Sequence, residues 1–202
     1  MTAAVVIPIR SFDAGKSRLG PRLDVARRAD LLRAMAENVV AAAGAMPVAV
    51  VSNAPEVRGW AASHGLTVID DPGTLDLAAA AGLGWAAATG FGRVVVAHAD
   101  LPLATNLAPM AADGLRPVVA AVPCHRDDGT PVLSLPTAAT GFVFAYGPGS
   151  FRRHAAAARA AGLGFRVRRD GRLGRDVDAP EDLSGLTLPL GGPDRLQALL
   201  NA

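Results

Sequence analysis

Residues 4–19 read Ala-Val-Val-Ile-Pro-Ile-Arg-Ser-Phe-Asp-Ala-Gly-Lys-Ser-Arg-Leu, and this stretch decides the fold. Its first six residues are apolar and rich in β-branched side chains, which is typical of a short buried strand. Its last ten residues, 10–19, carry three cations and a glycine, which is typical of a loop. Because ligands of open α/β sheets bind at the carboxyl ends of the strands, this loop is a candidate binding segment.

The alternation of strand and helix continues along the chain. Further strands are predicted at 48–52, 66–69 and 93–97, and helices at 24–43, 55–63, 74–89 and 105–113. After residue 117 the strands at 117–122, 132–135 and 141–146 follow one another without long helices, before a helix at 150–161 and a strand at 165–169. Repeated β-α units predict a mostly parallel sheet flanked by helices. We find no linker and no repeat, so we expect one α/β domain over residues 1–202.

Composition and charge narrow the class of protein. Of the 202 residues, 50% are hydrophobic, which is enough apolar material for one core. No apolar run reaches ~18 residues, so no membrane span is expected. A single cysteine, Cys124, favours a reducing cytoplasm. The net charge is only +2, which gives no reason to expect nucleic acid as a partner.

Lys16 is the only lysine beside 19 arginines. Residues 14–17 read Ala-Gly-Lys-Ser, like the end of a phosphate-binding P-loop, but the first glycine of that motif would fall at Arg10. The sequence therefore does not favour a P-loop. A basic loop after a strand still suits phosphates, because lysine acts as a point charge and arginine as a fork. Arg10, Gly15, Lys16 and Arg18 are candidate phosphate ligands, and a solvated basic loop is the alternative.

Two groups of carboxylates are candidates for a metal site. Asp100 follows the predicted strand at 93–97, where a carboxylate could bind Mg²⁺ together with phosphate oxygens. It could also be a helix N-cap. Asp176 and Asp178 alternate with Val177, which would place both carboxylates on one face of a strand. The two groups could converge on one metal ion.

The segment before the predicted helix at 150–161 is a candidate anion site. It reads Gly147-Pro-Gly-Ser150, and we interpret Ser150 as the N-cap of a helix whose free N–H groups could bind an anion. A simple cap and turn is the alternative. His154 is interpreted as a residue of the helix face, and Cys124 as a small hydrophobic residue.

Five arginines between residues 166 and 175 form a basic stripe, at positions 166, 168, 169, 172 and 175. We interpret the stripe as a solvated hairpin or as part of a clamp for an anionic ligand. RNA is a third possibility, which the low aromatic content of 4% does not favour, because bound bases usually stack on aromatic rings.

Taken together, these motifs resemble the 2-phospho-L-lactate / phosphoenolpyruvate guanylyltransferase family of deazaflavin coenzyme (F-420) biosynthesis. The resemblance covers about residues 5–183 and rests on several motifs in one order. These are residues 6–19, His98-Ala-Asp-Leu-Pro102, Asp128-Gly-Thr130, Gly147-Pro-Gly-Ser-Phe151 and Asp176-Val-Asp-Ala-Pro-Glu-Asp-Leu183.

The resemblance implies a single-domain, glycosyltransferase-A-like nucleotidyltransferase fold with Mg²⁺ as cofactor. It implies that GMP passes from GTP to the phosphate of phosphoenolpyruvate or 2-phospho-L-lactate, with release of diphosphate, and that the protein is a homodimer. The high-GC character of the composition favours phosphoenolpyruvate, with which actinobacterial relatives are associated. The product would be enolpyruvoyl-2-diphospho-5'-guanosine, or lactyl-2-diphospho-5'-guanosine from phospholactate.

The resemblance also distributes roles among the residues. Asp100 and Lys16 would be catalytic, and Asp100, Asp176 and Asp178 would hold the metal. Thr130, Gly147 and Ser150 would contact the acceptor. The nucleotide would meet Arg10, Gly15, Lys16, Arg18 and Asp76, together with Ser52, which follows the second predicted strand.

The chain departs from the family pattern at two positions. Asp76 stands where the family has asparagine near the nucleoside, and Pro131 stands where it often has asparagine near the acceptor. Two alternative functions stay open beside the one that the resemblance implies. One is a related nucleotidyltransferase for a molybdopterin cofactor or a sugar phosphate, although those usually begin with Leu-Ala-Gly-Gly, where this chain has Ile7-Pro-Ile-Arg10. The other is a non-catalytic module that binds nucleotides or RNA.

Overall fold

A seven-stranded sheet organises the part of the chain that the computed structural model describes, residues 3–184, 186, 188 and 194–200. The strands are β1 (Ala3–Pro8), β2 (Val48–Val51), β3 (Thr67–Ile69), β4 (Arg93–Ala97), β5 (Val118–Val122), β6 (Val132–Pro136) and β7 (Gly164–Val167). Their order in space is β3-β2-β1-β4-β6-β5-β7. β6 runs antiparallel to β4 and β5, and the other pairs are parallel. The predicted mostly parallel α/β sheet is confirmed.

Six helices accompany the sheet in the described residues. They are α1 (Val25–Ala42), α2 (Pro55–Ser63), α3 (Leu75–Ala88), α4 (Ser150–Ala160), α5 (Pro180–Leu183) and α6 (Asp194–Leu200). The predicted helices at 24–43, 55–63, 74–89 and 150–161 correspond to the first four. Local sequence explains where two of them begin, because Asp24 caps α1 and Thr74 caps α3 by accepting backbone N–H groups of the first turn.

Two predicted elements do not form, because other contacts occupy their backbone groups. The helix expected at 105–113 is reduced to a 3₁₀ turn, Ala108–Ala111, and the N–H of Leu107 donates to the carbonyl of Ala42 at the end of α1. The strand expected at 141–146 is irregular chain. There, side chains of other elements accept two of the backbone N–H groups that a sheet would have used, as described below.

The sheet is buried on both faces. On one face α1 covers the strands, and on the other α3 lies so close to β1 that a Cβ at Gly82 would come within 2.3 Å of Val6 Cγ1. Gly82 therefore permits a helix-to-strand approach that no larger residue could make without displacing Val6. This packing fixes the end of β1 between two helices. None of the helices in the described residues is long and apolar enough to span a membrane.

The strand order places a crevice between β1 and β4. The chain first builds outward from β1 to β2 and β3, and then returns to add β4 on the other side of β1. At such a reversal the two following loops diverge and leave a cleft at the carboxyl ends of the strands. Here the diverging segments are residues 10–19 and 98–102, the two that carry Lys16 and Asp100.

Candidate active site

A cavity of about 600 Å³ opens at the carboxyl ends of β1 and β4. Most of the residues that the sequence suggested for the site line it. They are Arg10, Gly15, Lys16, Arg18, Asp100, Thr130, Gly147, Ser150, Asp176 and Asp178. Five separate parts of the chain therefore meet in one cavity, at the carboxyl ends of the strands as the parallel sheet predicts. Ser52 and Asp76 do not line it.

Lys16 joins two carboxylates from distant parts of the chain. Its Nζ donates to Asp100 Oδ2, and to Asp178 Oδ1 at 2.5 Å. The side chains of Lys16 and Asp100 are only 14% and 13% exposed. Burial alone would lower the pKa of Lys16, but the carboxylates of Asp100 and then Asp178 outweigh it and raise the pKa above its ordinary value. Lys16 is therefore a permanent cation at the centre of the site.

Asp100 is also kept ionised, because nearby positive charge outweighs the effect of burial on its carboxyl. Burial would raise the pKa of its carboxyl, but the charges of Lys16 and then His98 lower it below the ordinary value. One oxygen, Oδ2, accepts from Lys16, and the other, Oδ1, is buried without a hydrogen-bond partner in the described structure. A buried, ionised oxygen of this kind has lost its water and is available to a cation.

Asp176 and Asp178 lie on an irregular segment and not on the strand that their alternation suggested. The alternation itself is present, because Val177 is fully buried while both carboxylates line the cavity. The N–H of Val177 donates to the carbonyl of Asp100 at 3.2 Å, which ties this segment to the end of β4. Burial, and then the charges of Asp100 and Asp178, raise the pKa of Asp176. The three carboxylates thus repel one another, with one ammonium among them.

These carboxylates suit Mg²⁺ bound jointly with a phosphate. The described residues contain no preassembled group of three or more ligating side chains. Mg²⁺, however, is usually held by one or two carboxylates together with substrate phosphates and water. The buried, unpartnered Oδ1 of Asp100 is an oxygen that a cation could contact. Asp176, whose Oδ1 lies 3.2 Å from His125 Nδ1, lines the same cavity. The donor set fits that mode of binding.

A second region of the cavity, around Thr130 and Ser150, depends on hydrogen bonds between uncharged side chains, with Asp128 beside it accepting from the N–H of Gly149. The segment before α4 turns through Gly147 and Gly149, whose φ angles of 97° and 71° favour glycine. Gly149 is the residue at the helix N-cap, so the interpretation of Ser150 as N-cap is wrong. Ser150 is instead the first residue of α4, and its hydroxyl donates to Thr130 Oγ1 at 3.3 Å.

His154 does not line the cavity in the described structure but contacts this second region through Thr130, a role that sequence reasoning missed. It is fully buried, with Nδ1 at 3.0 Å from Thr130 Oγ1 and Nε2 accepting from the N–H of Ala145 at 3.0 Å. Burial lowers its pKa to about 4, although Asp76 partly opposes this. The signal available in the sequence was the spacing of four residues from Ser150, which places both side chains on one face of α4.

Ser52 and Asp76, expected to contact the nucleotide, do not line the cavity in the described structure and make hydrogen bonds within the chain. Ser52 is fully buried and its Oγ accepts from the N–H of Ala54 at the start of α2. Asp76 Oδ1 accepts from the N–H of Tyr146 at 2.6 Å. Asp76 therefore holds the irregular segment 141–146 at the rim of the cavity.

Two ring side chains of the cavity also carry unpartnered polar atoms. The hydroxyl of Tyr146 and Nε2 of His98 are buried without a hydrogen-bond partner in the described structure. Their rings lie 5.5 Å apart. Burial, and then the charge of Asp76, raise the pKa of Tyr146, so its phenol is a neutral donor. The side chain of His98 is 24% exposed and lines the cavity.

The arginine stripe does not reach this cavity. Arg166 and Arg168 both contact the buried carboxylate of Asp113, and Arg169 contacts Asp127 at 3.0 Å. None of the five arginines lines the cavity in the described structure. Of the two interpretations of the stripe, a solvated hairpin or part of a clamp for an anionic ligand, the structure does not support a clamp at this cavity.

Comparison with known proteins agrees with the predicted family. The family model for guanylyl transferases described as CofC like matches residues 3–195. A phosphoenolpyruvate guanylyltransferase from Sphaerobacter thermophilus is 34% identical, over 92% of this chain and 93% of the relative. A 2-phospho-L-lactate guanylyltransferase from Methanothermobacter thermautotrophicus is 31% identical, over 93% and 85%. A 3-phospho-D-glycerate guanylyltransferase from Phenylobacterium zucineum is 34% identical, over 89% and 87%.

Solved structures share the fold at much lower identity. A protein described as a nucleotide-diphospho-sugar transferase from Desulfovibrio desulfuricans G20 superposes with a TM-score of 0.77 at 16% identity, covering 100% of this chain and 95% of the other. A nucleotidyl transferase from Methanothermobacter thermautotrophicus gives 0.63 at 14% identity, covering 90% and 94%. The predicted nucleotidyltransferase fold is confirmed. The chain belongs to the CofC-like guanylyl transferase family.

Proposed function

We propose that this protein transfers the guanylyl group of GTP to the phosphate of a phosphorylated three-carbon acid, with phosphoenolpyruvate as the acceptor. A phosphate oxygen of the acceptor bonds to the α-phosphorus of GTP, and the bond to the departing diphosphate breaks. The observation that supports this most directly is the division of one cavity into a charged half around Lys16 and a neutral half around Thr130.

The charged half suits the triphosphate. Arg10, Lys16 and Arg18 line it together with Gly15, and two reacting polyanions need cations to come together. Lys16 would offset the negative charge that develops on the departing diphosphate. Asp100, with Asp176 or Asp178, would hold Mg²⁺, which when bound supplies further neutralisation of the phosphate charge.

The reaction needs no protein nucleophile and no general base. A phosphate monoester has a second pKa of about 6, so the acceptor is mostly a dianion at neutral pH. Cys124 lines the cavity but is buried, and its Sγ accepts from the N–H of Gly129 within the turn that the two residues close. The chain's contribution is to position two anions and to offset their repulsion.

The neutral half suits the acceptor, and the relatives leave its identity open. Their names specify phosphoenolpyruvate, 2-phospho-L-lactate or 3-phospho-D-glycerate. All three carry a phosphate and a carboxylate on three carbons, so a hydrogen-bond donor such as the hydroxyl of Thr130 suits each of them. We favour phosphoenolpyruvate because of the high-GC composition, and place the product, enolpyruvoyl-2-diphospho-5'-guanosine, in coenzyme F-420 biosynthesis.

Diphosphate release tests the proposal. The purified protein is given Mg²⁺ and GTP, with each of the three acceptors in turn and with none. We expect release only when an acceptor is present, and the highest kcat/KM with phosphoenolpyruvate. ATP and CTP in place of GTP measure base preference, which the aspartate at position 76 makes worth testing. Absence of release with every acceptor would contradict the proposal.

The compartment and the partners of the reaction are also part of the proposal. We propose that it takes place in the cytoplasm without nucleic acid or membrane, which the single unpaired Cys124 and the arginines paired with carboxylates support. RNA binding with a steep salt dependence, and no turnover, would favour the non-catalytic module instead. A homodimer stays a prediction, which light scattering of the purified protein measures.

A further inference from the structure

The ring of His154 is held in one tautomer by its neighbours. The N–H of Ala145 donates to Nε2 at 3.0 Å. A backbone amide can only donate here, so Nε2 must carry a lone pair, and a neutral ring then bears its hydrogen on Nδ1. The ring has no freedom to rotate away, because Phe142 is stacked at 6.0 Å and Tyr146 lies edge-on at 4.7 Å between ring centroids.

Burial keeps this ring neutral at ordinary pH. His154 is fully buried, and its pKa is lowered to about 4. Protonation would place a second hydrogen on Nε2, directly against the N–H of Ala145. The neutral Nδ1–H form is therefore the one in which the protein works.

The fixed tautomer of His154 restricts the direction in which the hydroxyl of Thr130 can donate. Its Oγ1 accepts from Nδ1–H of His154 at 3.0 Å and from the Ser150 hydroxyl at 3.3 Å. A hydroxyl has two acceptor positions, and these two donors fill both. Because Nδ1–H of His154 donates to Oγ1, the hydrogen of the Thr130 hydroxyl points away from His154. When the Ser150 hydroxyl donates as well, the cavity that Thr130 lines is the direction left to this hydrogen.

We propose that His154 is a positioning residue which fixes the Thr130 hydroxyl as a hydrogen-bond donor to an anionic oxygen of the acceptor. The inference rests on the proposed function, which places the acceptor beside Thr130. A fixed donor favours ligand groups that can only accept, such as carboxylate and phosphate oxygens, over groups that present a hydrogen of their own. His154 touches no ligand and acts only through Thr130.

Two substitutions separate the two nitrogens of the ring. In His154→Asn the amide nitrogen takes the place of Nδ1 and can still donate to Thr130. In His154→Gln the longer side chain reaches the place of Nε2 and can accept from Ala145, but Thr130 loses its donor. We expect His154→Gln to raise the KM for the acceptor about tenfold and His154→Asn to raise it less than threefold, with the KM for GTP unchanged in both.

A double-mutant cycle tests whether His154 acts through Thr130. Thr130→Val removes the hydroxyl and keeps the shape of the side chain. We expect it to raise the acceptor KM about tenfold or more, and His154→Gln to add nothing in that background. Additive effects, equal effects of the Asn and Gln variants, or a matching rise in the KM for GTP would overturn the inference.

A measurement on the unaltered protein covers the case in which a variant fails to fold. Nitrogen-15 NMR distinguishes the tautomers of a neutral imidazole, and comparison with spectra at different pH values identifies the ring that stays neutral at pH 5. We expect that ring to carry its hydrogen on Nδ1, and a hydrogen on Nε2 would overturn the inference. Failure of the proposed function is a separate result, namely no diphosphate release from the wild-type protein with any acceptor.

Discussion

The two halves of the cavity bind by different physical means. Around Lys16, Asp100 and Asp178 the groups are ionised, and the attraction between them depends on charge and distance more than on direction. Around Thr130 and His154 the groups are neutral and buried, and each hydrogen bond depends on which atom carries the hydrogen. We infer that the charged half supplies most of the rate and the neutral half most of the acceptor selectivity.

The largest effect is expected for Asp100→Asn. The substitution removes a buried charge that pairs with Lys16 and would hold Mg²⁺, and we expect kcat to fall at least about 10³-fold. Diphosphate release measures the loss, and circular dichroism checks that the fold remains. Asp70→Asn is the matched control, because Asp70 is 87% exposed and pairs with Arg58 outside the cavity. Retained activity in Asp100→Asn would sink the metal role of this residue.

Lys16→Ala should have the next largest effect. It removes the central cation and leaves Asp100 and Asp178 facing one another, and we expect kcat/KM for GTP to fall about 10²–10³-fold. The KM for the acceptor should change much less, because the neutral half is untouched. Arg22→Ala is the control, since Arg22 is exposed and does not line the cavity. Equal losses for both substrates would show that the two halves do not act separately.

The charged half could be predicted from the sequence, and the neutral half only in part. A lone lysine after the first strand, an aspartate after the fourth and an Asp-Val-Asp segment are conspicuous residue types, and strand ends in a parallel sheet converge. His154 is less conspicuous, because its only signal in the sequence is the spacing of four residues from Ser150. Its role depends on the irregular path of residues 141–146, which brings the N–H of Ala145 to its ring.

That irregular path also explains the errors near it. Residues 142–146 alternate like a strand, but the N–H groups of Ala145 and Tyr146 are taken by the side chains of His154 and Asp76. These partners lie 9 and 70 residues away, beyond any local pattern. Asp76 was assigned to the nucleotide because the resemblance places an asparagine near the nucleoside at this position, and in the structure its carboxylate accepts from the N–H of Tyr146.

The pH dependence of stability tests the neutral half. His154 has a folded-state pKa of about 4 against an ordinary 6.5, so between these pH values the unfolded chain binds a proton that the native protein does not. Stability should therefore fall as pH drops from 6.5 to 4, by about 3 kcal/mol from this group.

Urea denaturation of the wild type and His154→Asn over this pH range separates the contribution of His154 from those of other groups. The charges near its ring, on Asp76, Arg153 and His98, are the same in both proteins. We expect the variant to lose about 3 kcal/mol less than the wild type on acidification. Parallel loss in the two proteins would mean that the ring is already protonated in the native state, which is incompatible with a fixed Nδ1–H donor.

Asp76 supplies the smallest expected effect on catalysis. If it only holds Tyr146, Asp76→Ala should cost about 2 kcal/mol of stability, the range for a hydrogen bond to a charged group, and leave the KM for GTP within about twofold. Asp76→Asn keeps an oxygen that can accept from the same N–H, so it should cost less stability, again with no change in base preference. A large rise in the KM for GTP, or a switch toward ATP, in either variant would instead place Asp76 at the nucleoside and extend the charged half across the cavity to β3.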